Sequence, residues 1–444
     1  MSGEIPDLKN RKKLLEWLGL TEEDLEKLPQ KPKEHRSLGI IGTAGHVDHG
    51  KSTLTEAITG KFPAQHSEEL TRGITIKLGY AHLDLMICPK CYGFHALKSN
   101  ANPRCEKHPD VKLRWLRCYS ILDHPGHEIL VSTMLQGASI IDYGLVVIAA
   151  NEPCPRPQTR EHVAALEVMG VKHIIVAQNK IELVSEEQAR KNLEQIVNFF
   201  TNETSYGVPP IIPVSAALRI NTDILLAAIY KYFPPKQPKT SGDPLFYIAR
   251  SFDANRPGTP INKLIGGALG GALKQGILRV GDEIEIRPGY ITPDGRAHPL
   301  YSEIVSIRTD GGHTLEYAQP NALIGIATNL DPALTKADGL AGNLAGKPGR
   351  LPDIVRKIIV KKVHLFKEVI GARVRVPNKP PKPRERLLIV CGTNINMGIV
   401  DSFHDDELEI TLLRPICMPK GERVALLRMV EREYRLIGYG LLDY

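Results

Sequence analysis

Short apolar runs alternate with polar, helix-patterned segments from Ser37 to about Phe233. The runs are 37–41 (SLGII), 119–123 (YSILD), 144–150 (GLVVIAA), 173–177 (HIIVA) and 211–214 (IIPV). Continuous rather than alternating apolarity suits strands covered on both faces, which predicts a mostly parallel sheet with crossover helices. The clearest helix opens on Ser185, Glu186, Glu187 and Gln188, a capping box in which Ser185 and Gln188 satisfy free N–H groups reciprocally. Its apolar set, Ala189, Leu193, Ile196, Val197 and Phe200, falls at helical spacing and predicts one buried stripe. Residues 1–35 are polar and charged, with a short capped helix expected over 21–28 and no chemistry assigned to this arm.

After 233–244 (FPPKQPKTSGDP) the texture changes to short β-like runs punctuated by glycine and proline. In 276–289 (GILRVGDEIEIRPG), Ile284 and Ile286 alternate with Glu283 and Glu285, which puts the isoleucines on one sheet face. A second break at 345–353 (AGKPGRLPD) precedes more of the same. The expected architecture is an α/β domain with a mostly parallel sheet, then two small β-barrels. The expected boundaries are an arm at 1–35, an α/β domain at 36–235 with an insert at 86–116, and barrels at 243–349 and 352–444.

Composition narrows the function classes. The 444 residues are 42% hydrophobic and 24% charged, an ordinary globular balance that excludes wholesale disorder or coiled coil. The longest apolar stretch, Tyr143 to Ala150, is far short of the ~20 residues that span a bilayer, so no membrane role is expected. Seven cysteines, four of them at Cys88, Cys91, Cys105 and Cys118, make a poor disulfide scaffold and point to a reducing cytoplasm. The net charge of +7 is concentrated: from Arg356 to Arg386 there are 11 Lys and Arg against Glu368 and Glu385. Such a segment suits nucleic-acid phosphates and equally suits a solvated strand face with a proline-rich loop.

The strongest chemical signal is Gly45-His46-Val47-Asp48-His49-Gly50-Lys51-Ser52, which satisfies G-x-x-x-x-G-K-[ST] directly after an apolar strand. Thr53 and the helical stripe Leu54, Ala57 and Ile58 follow, with Gly60 suited to the helix end. Backbone N–H groups of Asp48 to Thr53 are placed to wrap phosphates, with the helix dipole aiding. Lys51 would reach the β- and γ-phosphates and the Ser52 hydroxyl would ligate Mg²⁺. Asp123 ends the strand YSIL and can hold a Mg²⁺-bound water, while the Gly126 N–H can touch the γ-phosphate. Asn179, Lys180 and Glu182 end the strand HIIVA, and Ser215, Ala216 and Ala217 follow IIPV. A carboxylate at Glu182 accepts both the N1–H and the exocyclic amine of guanine, a donor pair that adenine lacks. Four loops at strand C-termini converge where open α/β sheets bind ligands.

These segments resemble the translational GTPases, and most closely the gamma subunits of initiation factor two of eukaryotes and archaea. The resemblance rests on 42–53 (GTAGHVDHGKST), 69–81 (ELTRGITIKLGYA), 123–128 (DHPGHE), 151–162 (NEPCPRPQTREH), 178–184 (QNKIELV), 250–259 (RSFDANRPGT), 281–289 (GDEIEIRPG) and 434–440 (YRLIGYG). It implies GTP and GDP as ligands with Mg²⁺, hydrolysis to GDP and phosphate, Thr75 as the threonine that ligates Mg²⁺ and senses the γ-phosphate, and His127 as the residue that orients the attacking water. Glu182 stands where the family more often has aspartate. The implied partners are the alpha and beta subunits, methionylated initiator tRNA, the small ribosomal subunit, and activating and exchange factors. The resemblance also implies that the first barrel, together with the GTP-binding domain, receives the aminoacylated end of initiator tRNA, and the stretch Gly266 to Gly271 allows either close approach to a ligand or tight β-packing.

Between 81 and 119 lie Cys88 and Cys91, then Cys105 and His108, a C-x-x-C…C-x-x-H spacing that can place three thiolates and an imidazole around tetrahedral Zn²⁺. The resembling family carries an insert here, sometimes with a four-cysteine knuckle. His95 is a competing ligand, Cys118 reads as a strand residue, and a metal-free loop is the alternative reading. For the whole chain the competing functions are an ATP-using transferase, a GTP-binding scaffold without hydrolysis, and an elongation-type GTPase carrying another aminoacyl-tRNA such as selenocysteinyl-tRNA. Glu182 argues against the first, Thr75 and His127 against the second, and the insert with RSFDANRPGT against the third.

Overall fold

A computed structural model describes residues 11–32, 36–63, 78–96, 104–124, 131–253, 255, 266–372 and 375–444. Thr75, Gly126 and His127 lie outside the described residues. The chain divides into two compact units, one formed by the described residues of 1–127, 141–163 and 171–236 and the other by those of 128–140, 164–170 and 237–444.

The first unit is built on a seven-stranded sheet. Its strands are β1 (Ile40–Ala44), β2 (Gly79–Ile87), β3 (Phe94–Ala96), β6 (Arg114–Asp123), β7 (Tyr143–Ala149), β8 (His173–Asn179) and β9 (Ile211–Pro213), in the order β3-β2-β6-β1-β7-β8-β9. Strands β6, β1, β7, β8 and β9 run parallel, as their unbroken apolar runs imply. Strands β2 and β3 add an antiparallel edge that the runs did not reveal, because Tyr80, His82 and Asp84 interrupt the apolar pattern of β2. Strands β4 (Arg104–Cys105) and β5 (His108–Lys112) form a separate two-stranded ladder in the insert.

Helices follow the parallel strands. Helix α3 (Lys51–Thr59) leaves β1 through the phosphate loop and ends on Gly60 in the left-handed conformation, φ 75°. In chain order, α4 (Val131–Ala138) follows β6, α5 (Pro157–Val168) follows β7 and α6 (Glu186–Glu203) follows β8. The Ser185–Gln188 capping box is present with both reciprocal bonds. The stripe of α6 differs from its apolar spacing: Leu193 is exposed, and the buried set is Asn192, Ile196, Phe199 and Phe200. Asn192 goes inside because its amide donates to Ala149 O and Glu152 O and accepts from Gln178. A polar residue with those partners costs nothing to bury, and the stripe turns toward it.

The N-terminal arm carries two helices, α1 (Arg11–Leu18) and α2 (Glu22–Lys27), of which sequence pattern indicated only the second. Leu14, Leu15, Leu18 and Leu25 are buried in one cluster with Leu225, Leu226 and Phe233, where α7 (Thr222–Tyr232) covers the sheet. Trp17 packs edge-on against Tyr232 at 5.8 Å.

In the second unit, strands 245–252, 268–275, 323–328, 297–309, 283–291 and 344–346 close into a six-membered ring, with 314–315 added on its flank. Strands 355–370, 407–416, 394–404, 386–391, 423–430 and 433–443 close a second barrel. Ile284 and Ile286 point into the first core as alternation requires, but Glu285 is buried too, bonded to Arg287, Tyr301 and the Gly349 N–H. The 266–271 stretch packs tightly: a Cβ at Gly271 would stand 1.9 Å from Tyr247 O, and one at Gly266 1.8 Å from Thr328 O. That geometry is backbone against backbone. On the second barrel, Lys357 and Lys361 pair with Glu409 and Asp443, so part of the basic segment is neutralised within the barrel.

Candidate functional site

The phosphate loop, 45–52, sits between the C-terminal end of β1 and the N-terminus of α3, where unpaired N–H groups and the helix dipole make an anion cradle. Gly45 takes φ 135°, and a Cβ there would meet Val147 O at 2.2 Å, so only glycine fits between the loop and β7. Two loop N–H groups are committed to side chains of α5: Gly45 N–H donates to His162 Nδ1 at 3.0 Å, and Val47 N–H to Gln158 Oε1 at 3.3 Å. His49 sits against Val147 O at 3.2 Å. Burial pushes the imidazoles of His49 and His124 down to about 4 and that of His162 well below the usual value, so all three are neutral. A neutral His162 is what lets Nδ1 accept from Gly45.

Lys51 Nζ donates to Gly45 O and His46 O at 3.0 and 2.8 Å, curled over the loop it belongs to. Burial lowers its ammonium to about 8, against the opposing pull of Asp123 and Asp48. Ser52 Oγ donates to Asp123 Oδ2 at 2.6 Å, and Thr43 Oγ1 to Asp123 Oδ1 at 2.6 Å. A hydroxyl and a carboxylate aimed at one point beside a phosphate cradle are the oxygen donors a Mg²⁺ ion takes. The site therefore fits that ion through Ser52 and Asp123.

At the end where the sequence places base recognition, Asn179 is a strut between two loops. Its Nδ2 donates to His49 O at 2.9 Å and its Oδ1 accepts from Ala216 N at 3.0 Å, tying the phosphate loop to the loop after β9. Lys180 takes the left-handed conformation, φ 62°, and starts a short 3-10 turn over Ile181–Leu183 that leaves Glu182 exposed. Ser215 is fully buried and its Oγ accepts from Leu218 N at 3.1 Å; Ala216 is buried and Ala217 exposed. Every sequence-indicated nucleotide residue among the described ones thus lies on these loops at the strand C-termini.

His162, Gln158 and Thr43 were not assigned a role from sequence. His162 and Gln158 stand in 151–162, a segment marked only by family resemblance. The signal is faint, because Gln158 and His162 stand among Thr159, Arg160 and Glu161 in a polar first half of the helix.

In the insert, Cys88, Cys91, Cys105 and His108 come together, their ligand atoms all within 4.8 Å of one another. Cys91 Sγ lies 3.6 Å from Cys105 Sγ, and His108 Nδ1 lies 3.6 Å from Cys105 Sγ and 3.9 Å from Cys88 Sγ. His95 does not belong to this group among the described residues. Three sulfurs and a nitrogen converging at a hairpin fit Zn²⁺ by number and donor type.

The comparisons with known proteins agree with this geometry. A family model described as the elongation factor Tu GTP binding domain matches residues 33–235, and one described as initiation factor eIF2 gamma, C terminal, matches 357–442. Translation initiation factor 2 subunit gamma of Pyrococcus furiosus is 46% identical over 416 residues, 93% of this chain and 99% of that protein. The same-named proteins of Archaeoglobus fulgidus and Methanocaldococcus jannaschii are each 46% identical, over 90% and 91% of this chain and 93% and 97% of theirs. Two solved structures share the fold: a bacterial selenocysteine-specific elongation factor, TM-score 0.67 at 22% identity over 91% of this chain and 58% of that one, and elongation factor SelB of Methanococcus maripaludis with a GTP analogue, TM-score 0.67 at 19% over 92% and 79%. At such identity they speak for architecture alone. The chain is a translational GTPase and belongs to the family of translation initiation factor 2 gamma subunits.

Proposed function

We propose that the chain is the nucleotide switch of an initiation factor: in its GTP state it holds methionylated initiator tRNA, brings it to the small ribosomal subunit, and releases it after hydrolysis. The observation that carries this reading is the joint one of 46% identity across 93% of the chain to a gamma subunit and a nucleotide site whose loops are all tied to one another. Alpha and beta subunits, activating and exchange factors and a cytoplasmic setting follow from the same kinship.

The chain's own groups divide the work. Asp48 to Thr53 present backbone N–H groups to the phosphates, Lys51 exchanges its two carbonyl partners for phosphate oxygens, and Glu182 accepts the guanine donor pair. Ser52 and Thr75 would ligate Mg²⁺ and Asp123 would hold it through water, the ion supplying charge neutralisation at the β- and γ-phosphates. His127 would orient the water that attacks the γ-phosphate. Loss of that phosphate frees Thr75 and the segment after Asp123, which is how hydrolysis becomes release. Cys88, Cys91, Cys105 and His108 would hold Zn²⁺, pinning an insert whose own ladder is too short to stand alone.

The deciding experiment compares binding of methionylated initiator and elongator tRNA with GTP and with GDP. Retention of the initiator with GTP and its loss with GDP is expected. Equal retention of elongator tRNA would place the chain with elongation-type factors.

A further inference from the structure

A second group of metal-ligand side chains lies away from the insert's four. His82 and Asp84 stand two apart on β2, and Cys118 faces Asp84 directly across the β2–β6 ladder. Residues two apart on a strand share a sheet face, as do directly opposed residues of an antiparallel pair, so all three side chains leave the same face. A ring nitrogen of His82, a carboxylate oxygen of Asp84 and Cys118 Sγ all lie within 4.8 Å of one another. The group is interior: Asp84 is 5% exposed and Cys118 0%.

His82 Nε2 and Asp84 Oδ2 are 3.5 Å apart, an ion-pair distance that is also close to the roughly 3.3 Å edge between N and O ligands of a tetrahedral zinc. The other carboxylate oxygen, Asp84 Oδ1, accepts from Trp115 Nε1 at 2.9 Å. Such an outer hydrogen bond fixes a carboxylate's orientation, with the other oxygen turned toward His82. Cys118 is positioned by two contacts with the incoming chain, its Sγ to Arg36 O and its carbonyl from Leu38 N–H, both at 2.9 Å.

We propose that His82, Asp84 and Cys118 form a second metal site of the zinc class, with three protein ligands and a water at the fourth position. Imidazole, carboxylate and thiolate together select Zn²⁺ over Mg²⁺ or Ca²⁺, which take oxygen ligands. On binding, Cys118 gives its thiol proton to solvent and exchanges its contact with Arg36 O for a sulfur–metal bond. Three protein ligands leave the fourth position to water or an added ligand, whereas the insert's four-ligand set is closed. The two sites share no residue.

The test uses the full chain carrying Cys88→Ser, Cys91→Ser and Cys105→Ser, which removes every thiolate of the insert, titrated anaerobically with Co²⁺. Uptake of one equivalent is expected, with a single-thiolate charge-transfer band that Zn²⁺ bleaches. Adding Cys118→Ala should abolish the band and weaken binding by about 100-fold or more, and Asp84→Asn should weaken binding with the band retained at high cobalt. Retained GTP binding reports that each variant is folded; should Cys118→Ala fail that check, Asp84→Asn alone decides. No cobalt uptake by the insert-silenced protein, or uptake indifferent to both further substitutions, overturns the proposal.

Discussion

The two ends of the nucleotide site are built differently. At the phosphate end every named polar group already has a partner inside the protein: Gly45 N–H on His162, Val47 N–H on Gln158, Lys51 on two carbonyls, Ser52 and Thr43 on Asp123. At the base end Glu182 and Ala217 are exposed, flanked by Leu183 and Leu218 at 60% and 62% exposure. Only Asn179, Ser215 and Ala216 are buried there. The phosphate loop is thus preorganised by the fold, whereas on the proposed reading guanine selectivity rests on exposed groups that take their partners from the ligand. Substitutions at the two ends should therefore separate stability from affinity.

The largest effect is expected at the base end. Glu182→Lys replaces an acceptor pair with a cation facing the guanine donors, and GTP affinity should fall by about 10³-fold or more with an unchanged melting temperature. Undiminished affinity by calorimetry would remove Glu182 from base recognition. For the reaction itself, His127→Ala should slow hydrolysis by about 10²-fold with GTP affinity retained, since a water-orienting group acts on the transition state. Equal single-turnover rates, with any required activator present, would exclude it.

Asn179→Ala sharpens the comparison because Asn179 serves both ends. It leaves His49 O and Ala216 N–H without their side-chain partner, so it should cost about 2 kcal/mol of stability and weaken GTP binding together. Denaturation midpoints matching the wild type would show that the ends are independent. The smallest effect concerns protons. With the nucleotide-free Lys51 held at about 8, it is charged below that pH in both free and bound states. Above it the free protein loses the proton and the triphosphate restores it, so binding at about pH 9 should take up most of one proton and binding at about pH 7 almost none. Calorimetry in buffers of different ionisation enthalpy measures this, and no uptake at high pH would mean that Lys51 stays charged without the nucleotide.

Much of the site was legible because its chemistry is local. The residues of the G-x-x-x-x-G-K-[ST] loop, Asp123 and Asn179 each stand at the end of an apolar run, and a strand end is readable from sequence. His162 and Gln158 were not assigned, since their role is to fill N–H groups of a loop more than a hundred residues away, a pairing that exists only once β1, β7 and α5 stack. The rotated stripe of α6 has the same origin: Asn192 is buried through bonds to Ala149, Glu152 and Gln178, none of them on its own helix. Helix α1 escapes the sequence pattern because its apolar residues, Leu14, Leu15 and Leu18, are few, and their burial comes from a cluster that also holds Leu25, Leu225 and Leu226.

Sequence by itself determined the GTPase class and the order of strand and helix in the first unit, and it singled out Cys88, Cys91, Cys105 and His108 as one candidate set, since glycine spacing, apolar runs and C-x-x-C pairs act within a few residues. Tertiary structure decided which polar groups are buried and what they face. Whether Glu285 lies in the core, whether the Gly266–Gly271 stretch packs against backbone, and whether His82, Asp84 and Cys118 meet all depend on the register between strands distant in the chain. A register is set by the whole sheet's side-chain faces together, and no single segment carries that information.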